Sequence, residues 1–70
     1  MIRFELGKPS NVRLTVYNLL GQRVATLVNG HMSQGAHIIQ FDASHLASGI
    51  YFYAIQAGEF KEVRRMLLLK

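Results

Sequence analysis

Residues 12–17 alternate without a break, with Val12, Leu14 and Val16 on one side and Arg13, Thr15 and Tyr17 on the other. Successive side chains of a strand point to opposite faces, so this period of two predicts a half-buried β-strand. Related apolar runs, divided by turn-forming residues, predict five more strands over residues 2–6, 23–28, 36–41, 50–57 and 60–69. Gly7-Lys8-Pro9-Ser10-Asn11 closes the first, because Pro9 and Gly7 oppose a continued ladder. Asn18-Leu19-Leu20-Gly21 reads as a type I turn with Asn first and Gly last. Asn29-Gly30 and Gly35 bound a loop containing His31 and Met32, and residues 42–49 form a second loop with Leu46 as its one large apolar side chain. Gly58-Glu59 suits a two-residue hairpin of type II′ or I′. Glycines at 7, 21, 30, 35, 49 and 58 leave no segment long enough for a stable amphipathic helix.

Hairpin-linked strands are antiparallel, and a twisted set of this size closes best as two packed sheets. The expected class is therefore all-β, a small antiparallel sandwich of about six to seven strands forming one domain over residues 1–70. Its core is expected to come mostly from Val12, Leu14, Val16, Val24, Leu27, Ile39, Phe41, Leu46, Tyr51, Tyr53 and Ile55. The later strands break the simple pattern. Tyr51, Tyr53 and Ile55 share one face, yet Ile50 and Phe52 make the other apolar too, and Met66-Leu67-Leu68-Leu69 repeats the excess. A two-sheet monomer buries one face of each sheet. The surplus is either scattered apolar surface shielded by Arg and Lys stems or a patch that docks onto a neighbouring domain, a second copy or a receptor.

Composition narrows the function. Seventy residues suffice for one core and no separate catalytic domain. Cysteine is absent, which excludes disulfides, a thiol nucleophile and thiolate zinc sites. No apolar run reaches the ~20 residues of a membrane helix, and Met-Ile-Arg-Phe-Glu is too charged for a secretory signal, so membrane insertion is not expected and export would require a longer precursor. The net charge of +4 includes Lys61, Arg64, Arg65 and Lys70 near the C-terminus. These alternate with apolar residues and no nucleic-acid-binding signature accompanies them, so a solvated rim or a partner patch is expected and nucleic acid is not.

Catalytic patterns are weak. His31, His37 and His45 match no metal-ligand spacing. Asp42, Ser44 and His45 have the composition of a triad, but residues so close in one turn are better suited to local turn bonds. Four scattered carboxylates do not suggest a glycosidase pair, and no glycine-rich phosphate loop is present. No catalytic, metal or cofactor site is therefore expected, and function must reside in surface recognition.

Two stretches, Val12-Arg-Leu-Thr-Val-Tyr-Asn-Leu-Leu-Gly21-Gln-Arg-Val24 and Phe41-Asp42-Ala-Ser-His-Leu46-Ala-Ser-Gly49-Ile-Tyr51, carry a resemblance, joined by Leu27-Val28, Gly35-Ala-His37 and the ending Arg65-Met66-Leu-Leu-Leu-Lys70. Together they resemble the C-terminal sorting domains of the bacterial type IX secretion system over nearly the whole chain. The Asn- and Pro-rich stretch that commonly leads into the family's first strand does not precede Ile2. The resemblance implies an immunoglobulin-like sandwich at the end of a secreted or cell-surface cargo, recognised by the outer-membrane export machinery and removed by a sortase-type protease. It places turn glycines at Gly21 and Gly49, a core aromatic at Tyr51, and the basic terminal strand at residues 64–70. Arg64, Arg65, Met66, Leu68 and Lys70 are accordingly the expected partner-recognition residues, with self-association as a further expectation. The competing reading is a structural or interaction module, like the related immunoglobulin-like domain of flagellar hook-capping proteins, or a carbohydrate platform using Tyr17, Phe52 and Phe60.

Overall fold

A computed structural model describes residues 2–69. The strands are β1 (Ile2–Leu6), β2 (Ser10–Tyr17), β3 (Arg23–Met32), β4 (Gly35–Ile39), β5 (Gly49–Ala57) and β6 (Phe60–Leu68), with no helix among the described residues. They form two antiparallel sheets, one of four strands in the order β3-β2-β5-β6 and one of two, β1-β4. The all-β sandwich read from the alternation is therefore present, with six strands. The β2-β3 and β5-β6 hairpins are local, whereas β1-β4 and β2-β5 join remote segments.

The core lies where the smaller sheet covers the larger. Leu14 sits opposite both Val28 on β3 and Ile55 on β5, and neither Leu14 nor Val16 is exposed at all. Ile2 and Leu6 descend from β1 onto Val12, Leu14, Ile55 and Ala57, and Phe4, Leu27, Val28, Met32, Ile39 and Tyr53 pack at the margin. The expected core thus holds at Val12, Leu14, Val16, Tyr51 and Ile55, but Ile2, Leu6 and Ala57 complete it. Val24, Leu27, Ile39, Phe41, Leu46 and Tyr53 are half-buried instead. Their sites lie on the flanking strands and in the long loop, which the two-stranded layer leaves partly uncovered.

Three local differences have simple causes. β3 runs on through Gly30, His31 and Met32, because Val12, Asn11 and Ser10 on β2 supply partners for them. Two register shifts between β2 and β3 leave Leu27 and Val24 out of the paired positions, as bulges do, so β3 does not keep strict alternation. β4 ends at Ile39, where β1 reaches its first partner Ile2, and Phe41 falls in the following loop. The 57–60 hairpin is type II′: Gly58 has φ +61° and Glu59 keeps negative φ, whereas type I′ needs both positive.

Candidate recognition strand and its surroundings

β6 is an edge strand, hydrogen-bonded along one side to β5. Its register divides the expected recognition residues between two faces. Arg64, Met66 and Leu68 stand opposite Tyr53, Tyr51 and Gly49, on the side of the sheet that faces the core. Arg65 stands opposite Phe52 and looks outward, with Leu67 beside it opposite Ile50. Lys70 lies outside the described residues. Met66 and Leu68 are half-buried, while Arg64 and Arg65 are exposed. Alternation means that the adjacent arginines cannot serve one flat surface; they can flank a strand laid along the edge.

Arg64 donates from a guanidinium nitrogen to Glu62 Oε1 at 2.8 Å, two residues along the same face. That bond, reinforced by the carboxylate's charge, holds the guanidinium pKa above its ordinary value. Both side chains are exposed, so the pair orients Arg64 more than it stabilises the fold. Arg3, Phe4, Tyr53, Ile55, Phe60 and Glu62 are among the residues lining a groove between β1 and β6, where the two layers fail to overlap. Phe60 is 56% exposed there.

The outer face of the four-stranded sheet is basic. Arg13, Arg23, Lys61 and Arg65 stand on it, opposite Gln56, Tyr17, Gln56 and Phe52 respectively. Glu62 has the opposite parity, and Glu5, Asp42 and Glu59 lie on β1, in the loop before β5 and in the β5-β6 turn. Tyr17 and Phe52 are half-buried neighbours on this outer face, but Phe60, opposite Ala57, is on the other face at the far end. The three aromatics proposed as a sugar platform are not coplanar neighbours.

The remaining candidates are structural in their geometry. His37 Nε2 lies 2.8 Å from Ser33 O, and its ring tilts against Phe4 with centroids 5.5 Å apart. His31 and His45 are exposed. Asp42 Oδ1 accepts the Ser44 N–H at 3.0 Å, and Leu46 N–H reaches Ala43 O at 3.0 Å, closing the turn. Among the described residues no three His, Cys, Asp or Glu groups converge on a metal position, and no helix is long and apolar enough to cross a membrane. Tyr51 donates its hydroxyl to Ala47 O at 2.8 Å, pinning the 40–48 loop over the end of the core.

With strand order and register known, similarity supplies what geometry cannot. Residues 1–69 match the family model described as a secretion system C-terminal sorting domain. The chain belongs to this family. It matches no curated protein and no solved structure. As a C-terminal sorting domain of type IX secretion, it is a tail borne by exported proteins, in a family not known for catalysis. The sorting domain's turn residues sit as the resemblance implied: Gly21 follows the Asn18 turn with φ +80°, Gly49 opens β5, and Tyr51 is buried.

Sequence reasoning did not single out Leu19 and Leu20. They are 67% and 82% exposed at the tip of the β2-β3 turn. The available signal was two large apolar residues at the central positions of a turn, where polar residues are usual.

Proposed function

We propose that the sorting domain delivers an upstream cargo to the outer-membrane export machinery of type IX secretion, and that β6 is the strand this machinery reads. The observation that supports this is the position of β6 at the edge of the larger sheet. An edge strand presents unpaired backbone N–H and C=O groups, so a partner can add a strand to it. Met66 and Leu68 on one face and Arg65 on the other give that addition apolar contact and charge, with Arg64 oriented by Glu62 and Lys70 continuing the basic series. A sortase-type protease then separates tail from cargo.

The test fuses the domain to a reporter in a host competent for type IX secretion, with R65Q and K70Q as the variant. Circular dichroism should report an unchanged β fold for both proteins, since Arg65 is exposed. The intact fusion should be exported and the variant should lose most of that export. Equal export would remove these charges as determinants. An intact fusion that stays in the cell would favour a structural or interaction module instead.

A further inference from the structure

The β2-β3 turn is held unusually firmly for an exposed tip. Asn18 Oδ1 accepts from Leu20 N–H at 2.9 Å and Gln22 N–H at 3.0 Å, and Asn18 Nδ2 donates to Gln22 Oε1 at 2.9 Å. The backbone adds Gly21 N–H to Asn18 O and Asn18 N–H to Gln22 O, both at 3.0 Å. Leu19 and Leu20 are therefore displayed on a preorganised frame, which reduces the ordering cost of binding.

The two leucines are not isolated. Tyr17 pairs with Phe52 and Ile50 with Leu67, so the turn, the start of β5 and the end of β6 meet at one end of the sheet. Leu67 is 64% and Leu69 78% exposed, so four of the seven large apolar side chains left exposed among the described residues gather at this end. A shallow depression beside the turn is lined by Leu19, Leu20, Ser48, Gly49, Ile50 and Tyr51. At the other end of the sheet, Asn11, Arg13, Asn29 and Gln56 line a polar surface instead.

We propose that this leucine tip is a docking knob that seats in an apolar, acid-rimmed cleft of a protein of the export apparatus, an inference that rests on the sorting reading above. Charge selects the partner. Arg23 follows the turn and Arg65 lies opposite Phe52, two residues in from Leu67 at the apolar end. Glu62 stands opposite Ile55 and Glu59 occupies the far turn, while Asp42 already accepts a backbone N–H within its own loop. A second copy is disfavoured because it would present the same basic flank, Arg23 and Arg65, on a chain of net charge +4, where an acidic partner is complementary. The sorting reading supplies a protein partner, and the basic flank at Arg23 and Arg65 calls for an acidic rim on it.

The test has two arms in the secreting host. L19S/L20S in the reporter fusion should keep the thermal midpoint of the intact domain and lose most of its export. In the second arm Leu20→p-benzoylphenylalanine in the otherwise intact fusion is irradiated during export. It should give a protein adduct that the same probe at Glu59, in the opposite turn, does not give. Normal export of L19S/L20S together with export of the intact fusion overturns this inference alone. Failure of the intact fusion to export overturns the sorting reading and this inference with it. Sedimentation of the intact domain with phosphatidylglycerol vesicles, abolished by L19S/L20S, would identify a membrane surface as the partner and overturn the protein cleft.

Discussion

The two layers of the sandwich are unequal, and the inequality decides where the molecule is stable and where it is available. In the four-stranded sheet, β2 is flanked by β3 and β5 on both edges, and Val12, Leu14 and Val16 have essentially no exposure. The two-stranded sheet consists of two five-residue strands, of which only Ile2 and Leu6 are buried. A short cover over a wide sheet protects the centre and leaves the flanks open, as Phe60 shows on β6. Stability is concentrated in β2 and β5, while β6 and the turn before β3 remain accessible to partners.

The largest expected effect is at Leu14. Leu14→Ala should cost about 2–5 kcal/mol, enough to unfold a domain this small, whereas Ile2→Ala at the edge of the cover should fall at or below the lower end of that range. Urea denaturation of both variants checks this, and a larger loss at Ile2 would break the comparison by making the small sheet the structural centre. Gly58→Ala comes next. Nothing lies within 4 Å of the added Cβ, so the expected loss is backbone strain alone, about 1–3 kcal/mol at φ +61°, read as a lowered denaturation midpoint. The smallest effect belongs to the open flank: Glu62→Gln removes the ion pair with Arg64 and should leave the midpoint nearly unchanged. A clear loss of stability there would mean that the β1-β6 groove is part of the structural core.

The six strands and the place of Leu14 in the core were legible because period-two alternation and turn chemistry are local signals. Sheet order was not, since β1-β4 and β2-β5 join segments far apart and no local pattern names a partner. The same reason hid the core role of Ile2, Leu6 and Ala57, which lies in how the small sheet lands on the large one. On β6, alternation separates Arg64 from Arg65, but only the register against Tyr53 and Phe52 says which faces inward. The leucine tip was hidden by a correct reading of its frame: Asn18 and Gly21 identify the turn, and attention to them passes over the two side chains it displays.

The central pairing of β2 with β5 also sets an order of events as the chain emerges. Val12 waits for Ala57 and Val16 for Tyr53, so until β5 is available the β2 edge of the β2-β3 hairpin stays unpaired. A lone hairpin is marginal in water, and loop closure over the intervening residues must precede the contacts that reward it. A nascent or translocating chain that stops short of β5 therefore remains pliable, and one that includes β5 can close its central sheet in a cooperative step. Closure of the central sheet thus waits until most of this chain is present.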